Sequence, residues 1–292
     1  MTGILWGLCG AILIGASDCI ARVTTQKVSV SILFLCIMGS SLIALLTWLI
    51  VTANLPPWHT GAWLDSAGSG VLNIVALFFL YRALARGPVA VASPAASTFT
   101  VLLLGLNILS GEPWSWLQLL AMLVVFCGVV MLVQPSSADR QMAQYDSRWL
   151  RITAVYALAT ALTVSVRMYL AQDASAVLGA EHALFLNRLF ALATALALIA
   201  FCFLRQQVLV WPIGNMRYLV LLQAVAETCA LGAFLIGSAG GGRVAATIGF
   251  AAFAAATTLF AWLWLGEKIG LQRGFWILVV SGGIVIAMLA SP

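Results

Sequence analysis

A chain of 292 residues that is 63% hydrophobic and only 8% charged cannot clothe a water-soluble fold of its size, because soluble domains carry about 25% charged residues. The mean hydropathy is +1.08, and the apolar runs last roughly 18–25 residues, the length of spanning helices, without the alternation of barrel strands. The chain therefore reads as an all-α polytopic membrane protein whose first partner is the lipid bilayer; no nucleic-acid partner is expected, despite a net charge of +5.

Ten spanning segments are expected, at 3–21, 31–53, 66–85, 89–110, 115–134, 150–171, 178–204, 216–238, 243–265 and 272–290. The first lacks the basic leader of a signal peptide and reads as a retained helix. It carries Asp18 and Arg22, four apart and so able to pair on one helix face; a solvated structural pair is favoured over a site role. The third segment holds Asn73 and Tyr81, two turns apart, and ends at Arg82 and Arg86. Gly87-Pro88 then makes a sharp return, since proline suits the first turn of a helix, and Pro94 is expected to bend the fourth segment. Phe99 follows in that segment.

After the fifth segment comes the one extended polar stretch, Gln134 to Trp149, which divides five helices from five. The sixth segment offers Tyr156 and Thr163, the seventh Arg188, the eighth Gln223, Glu227 and Thr228, and the ninth Phe250 and Phe253 behind the turn glycine Gly242.

The two fives are related. Adding 155 carries Gly87 to Gly242, Val89 to Val244, Gly111-Glu112 to Gly266-Glu267, Val124-Val125 to Val279-Val280 and Gly128 to Gly283. Each unit has an odd number of helices, so the second enters the membrane upside down, and the fold expected is two inverted five-helix repeats. The repeats are placed at 1–134 and 150–292, with a connecting loop at 135–149. Eleven of the fourteen Lys/Arg flank the odd connections: Arg22, Lys27, Arg82, Arg86, Arg140, Arg148, Arg151, Arg205, Arg217, Lys268 and Arg273. The positive-inside rule then makes that face cytoplasmic and both termini periplasmic.

"YRALARGPVAVASP" with "LSGEPWSWLQLLAMLVVFCGVVML", and their second copies "GGRVAATIG" and "LGEKIGLQRGFWILVVSGGIVIAML", resemble the EamA module of the drug/metabolite transporter superfamily. The resemblance implies a ten-helix carrier of small metabolites, often an exporter of the bacterial inner membrane, whose central cavity is lined by the first, third, fourth, sixth, eighth and ninth helices. Within the superfamily the chain looks most like the amino acid exporters, including the aromatic amino acid type. The expected function is export of small neutral metabolites, above all amino acids, by alternating access; the alternative is a multidrug or other metabolite exporter of the same superfamily. A monomer is expected.

Ionisable side chains inside a membrane are costly and point to function by default. Glu227 is thus expected either to contact a zwitterion's amino group or carry a coupling proton, or else to form a structural pair with Arg188. Asn73, Tyr81, Tyr156, Thr163, Gln223 and Thr228 suit a cavity for a neutral zwitterion, with interhelical hydrogen bonding as the competing role. Phe99, Phe250 and Phe253 suit stacking on a substrate side chain, with ordinary core packing as the alternative. Gly87, Pro88, Pro94 and Gly242 are read as hinge or packing positions.

An enzyme is not expected: the two histidines, His59 and His182, lie near the membrane surfaces, and no metal-protease, phosphate-loop or Ser/His pattern is present. The six cysteines form no C-x-x-C pair, so no metal and no cofactor are expected.

Overall fold

The computed structural model describes residues 2–86, 98–133, 147–265 and 271–289. They form eleven α-helices: α1 Thr2–Thr24, α2 Val30–Val51, α3 Thr60–Arg86, α4 Phe99–Leu109, α5 Trp116–Val133, α6 Ser147–Leu178, α7 Ala180–Leu204, α8 Met216–Ser238, α9 Arg243–Phe250, α10 Phe253–Leu265 and α11 Leu271–Leu289. The helices α9 and α10 together make the ninth segment, so each of the ten expected segments has a helix among the described residues. Six of them are long and apolar enough to cross a membrane by length and composition, and α4, α5 and α11 contain shorter apolar runs. The protein is an all-α, multi-pass membrane protein.

Its polarity is the reverse of a soluble fold. Leu5, Ile43, Trp48, Leu109, Leu162, Leu196 and Leu278 face outward, while Arg188, Asn73, Asn107, Asn187, Gln172 and Gln223 are buried. With no water in hydrocarbon to satisfy them, polar groups turn inward and bond one another.

Both termini share one face, since Thr2 and Leu289 line the same cavity there. Loop contacts fix the alternation. On the terminal face, Glu181 at the start of α7 accepts hydrogen bonds from Asn54 Nδ2 (2.6 Å) and Trp48 Nε1 (3.4 Å). On the opposite face, Ser29 N donates to the Val210 carbonyl, joining the connection after α1 to the one before α8.

The helix pairings are two-fold related: α1 packs on α8 as α3 packs on α6, and α2 packs on α7 and α5 on α11 within self-matched pairs. The α5–α11 seam shows the relation in atoms. A Cβ added at Gly128 would lie 2.7 Å from Val280 Cγ2, and one at Gly283 2.8 Å from Val125 Cγ2. Both pairs are linked by the 155-residue offset, so the contact is isologous, as across a two-fold axis.

Three elements differ from expectation. The helix α3 begins at Thr60 rather than 66, because His59 caps the added turn through Nδ1 to the Ala62 N–H. The helix α6 runs on to Leu178, past Gln172 and Asp173, whose polar side chains are used against α8 and α9; it stops only at Gly179, whose φ of +86° suits glycine. The ninth segment is broken at Ala251-Ala252, where the Ala251 N–H is shared between the carbonyls of Thr247 and Ile248. This tightening interrupts the ladder without a proline.

Small residues bring the first and ninth segments into near backbone contact. A Cβ at Gly7 would be 2.2 Å from the Ala246 carbonyl oxygen, and one at Gly249 2.3 Å from that of Ile4. Gly242 is required for space rather than conformation: its φ is −84°, and a Cβ there would be 2.3 Å from the Gly237 oxygen. The left-handed positions of that turn are Gly240 and Gly241.

Candidate functional site: a buried charge cluster

Within the bundle, helices from both halves bring ionisable groups near one another. Arg188 of α7 is wholly buried, and its Nη1 donates to Glu227 Oε1 of α8 at 3.2 Å and to the Met38 sulfur of α2 at 3.2 Å. Asn73 of α3 points its Nδ2 at the same sulfur, 3.8 Å away. Arg167 of α6 feels the charges of both Arg188 and Glu227, and Asp18 of α1 feels that of Glu227. Glu227 thus has ionisable neighbours on three other helices, one of them, Arg188, in direct contact.

Asp18 reaches Glu227 from a separate wall. The helix α1 packs on α8, α9 and α10, whereas α6 packs chiefly on α3, α4 and α7. Asp18 accepts a hydrogen bond from Thr257 of α10 at 3.4 Å, a contact across a helix interface. Its side chain is nonetheless exposed. Arg167, half-buried, faces the same Glu227 from α6.

The other candidates divide between this layer and its supports. Thr228 donates to Ser41 Oγ at 2.7 Å, and Gln223 Oε1 accepts from Thr24 at 3.0 Å, so both tie α8 to its neighbours. Thr163 turns its hydroxyl back to the Ala159 carbonyl of its own helix, and the Tyr156 ring lies 6.3 Å from that of Phe79. Tyr81 falls within α3, but its side chain lies outside the described residues, as do Gly87, Pro88 and Pro94.

Phe99, Phe250 and Phe253 do come together. Phe99 lies 5.5 Å from Phe253 and 6.5 Å from Phe250, and Phe234 adds a fourth ring 5.1 Å from Phe250. The rings are tilted or edge-on, the arrangement their quadrupoles favour. Phe99 belongs to the first half and the rest to the second, and the cluster straddles the break between α9 and α10.

Toward the terminal face the bundle is closed. Arg243 at the start of α9 donates from Nε to Glu112 Oε1 (3.1 Å), from Nη1 to Asp173 Oδ1 (2.5 Å) and from Nη2 to the Gln172 carbonyl (3.5 Å). Asn107 to Thr247 (3.3 Å) and Gln172 to Ser238 (2.9 Å) add cross-links below it. Outside this closure lies a cavity of about 850 Å³ lined by Trp6, Trp114, Gln118 and the glycine turn. None of its lining residues is ionisable.

Sequence reasoning singled out Glu227, Arg188 and Asp18 but passed over Arg167 and Asp173. Arg167 had the same signal as Arg188, a cation inside an apolar segment. Asp173 had none, because its partner is 70 residues away.

No curated protein matches this sequence. A solved structure described only as "Crystal structure of protein" aligns with a TM-score of 0.79 at 21% identity, covering 99% of this chain and 97% of the other; the ten-segment architecture is therefore one already seen in a solved fold. Residues 1–134 match the EamA-like transporter family. With its apolar helices, its two-fold seam and its buried charges, the chain is a multi-pass membrane protein whose residues 1–134 are similar to the EamA-like transporter family.

Proposed function

We propose that this protein is a transporter that exports small neutral metabolites, foremost amino acids with aromatic or other hydrophobic side chains, by alternating access through a cavity between residues 1–134 and 150–292. The reading rests on one observation: charges of both signs, Asp18 and Glu227 with Arg167 and Arg188, converge within the bundle. A zwitterion carries both complementary charges and no net charge, so such a layer can replace its hydration shell. The aromatic cluster of Phe99, Phe250 and Phe253 supplies a partner for an apolar side chain. Sites of this kind lie near the midplane at the repeat interface, beside broken helices, and the break at Ala251-Ala252 fits that pattern. A carrier of lipophilic cations would place acids in its cavity without two guanidiniums beside them, which ranks the multidrug reading second.

In this reading the chain lies in a bacterial inner membrane, with the Lys/Arg-rich loops cytoplasmic and both termini periplasmic. Uptake of labelled phenylalanine, threonine and a lipophilic cation into proteoliposomes tests the substrate class. Transport of either amino acid is the expected result; transport of the cation alone overturns it. A cysteine placed at residue 2 is expected to react with an impermeant maleimide in intact cells, and protection there reverses the orientation.

A further inference from the structure

We propose that Arg188 and Arg167 together recognise the carboxylate of the transported molecule. The inference rests on the amino acid reading above and assigns its anionic end. It begins with the buried donors that have no partner. Among the described residues, the buried cationic nitrogens without a hydrogen bond are Arg188 Nε, Arg188 Nη2 and Arg167 Nε. All three belong to two side chains close enough to feel one another's charge.

The geometry of the guanidinium gives this meaning. Nη1 of Arg188 is taken by Glu227 and Met38. Nε and Nη2 lie along the other edge, and that edge forms the planar fork that matches a carboxylate in two parallel hydrogen bonds. The fork is therefore free while the rest of the group is held, and Glu227 and Met38 fix its direction. Buried donors are normally satisfied, so an idle fork inside a membrane protein is an unmet demand for an acceptor. Glu227 holds only Nη1 of Arg188, which leaves the other edge to an incoming carboxylate, while the ammonium of the same molecule is left to Glu227 and to Asp18. Asn73, buried beside Met38, narrows the layer on the α3 side.

The test compares L-phenylalanine with L-phenylalaninamide, which keeps the ring and ammonium but lacks the carboxylate. Both are used to compete for labelled L-phenylalanine counterflow through the full-length protein in proteoliposomes. The parent is expected to prefer the acid by at least tenfold. Arg167→Gln, which breaks no ion pair, is expected to weaken the acid about 10- to 100-fold and leave the amide unchanged. Arg188→Lys keeps the charge beside Glu227 without the fork, and is expected to do the same at an unaltered melting temperature. Equal competition by acid and amide in the parent, or equal loss of both in Arg167→Gln, overturns the assignment while the amino acid reading stands. If the parent moves a lipophilic cation and no amino acid, the underlying reading fails first.

Discussion

Two arginines organise this bundle, and they are used in opposite ways. Arg243, near the terminal face, has each of its three nitrogens engaged, and two carboxylates, Glu112 and Asp173, surround its single charge. Arg188, deeper in the bundle, has one nitrogen engaged and two idle. Both networks keep unpaired atoms, but of opposite kind: Glu112 Oε2, Asn107 Oδ1 and Gln172 Oε1 are spare acceptors in the first, and Arg188 Nε, Arg188 Nη2 and Arg167 Nε are spare donors in the second.

The largest expected effect comes from breaking the deeper cluster. Glu227→Gln leaves the buried Arg188 charge without its counter-ion and is expected to lower stability by about 3–5 kcal/mol, read as a fall in melting temperature in detergent. Replacing both partners, Arg188→Leu with Glu227→Leu, is expected to recover most of that loss while abolishing transport. A Glu227→Gln protein as stable as the parent would show that Arg188 does not depend on its partner, and the contrast would fail.

Next is the packing that lies between the clusters. Gly249→Ala places a methyl group against the Ile4 carbonyl and is expected to cost about 1–3 kcal/mol by overpacking. Gly105→Ala, with nothing within 4 Å of its new Cβ, is the matched control and is expected to be neutral or slightly stabilising.

Breaking the closure should cost less than breaking the deep pair. The Arg243, Glu112 and Asp173 side chains keep 11%, 18% and 30% of their exposure, so water screens the loss, and Arg243→Ala is expected to cost about 1–2 kcal/mol. Its sharper readout is access. With the six native cysteines replaced, a cysteine at the buried Thr247 position is expected to react with an impermeant maleimide at least several-fold faster once Arg243 is removed. An unchanged rate would mean that Arg243 holds nothing shut. The smallest effect is expected at the Asn107–Thr247 cross-link, where Thr247→Val should change stability by about 0.6 kcal/mol, the mean for such bonds in a membrane bundle.

Much of this architecture was legible in the residues because lipid imposes simple rules. Apolar runs had to be helices, and Gly128, Gly283, Val125 and Val280 fell into register at one offset before any contact was known. Glu227 and Arg188 announced themselves by being ionisable in apolar surroundings. What stayed hidden depended on three-dimensional direction. No sequence pattern says that Arg188 turns Nη1 to Glu227 and leaves its other edge idle. The break at Ala251-Ala252 has neither proline nor glycine at the interrupted residues, and it follows from packing by Gly249 against α1. The true end of α6 was obscured because Gln172 and Asp173 look like loop residues until Ser238 and Arg243 are brought beside them.

The α5–α11 seam carries a consequence for how such a chain can change. Gly128 meets Val280 as Gly283 meets Val125, so the seam is one packing solution written twice, the contact that two identical subunits would make. A residue there is answerable to its own copy. Elsewhere the halves have parted: the offset places Leu33 opposite Arg188, Leu72 opposite Glu227 and Ile12 opposite Arg167. At its seam the protein is in effect a homodimer on one chain, whereas among the charges around Glu227 the halves contribute unequally: Arg167, Arg188 and Glu227 come from the second half and Asp18 alone from the first.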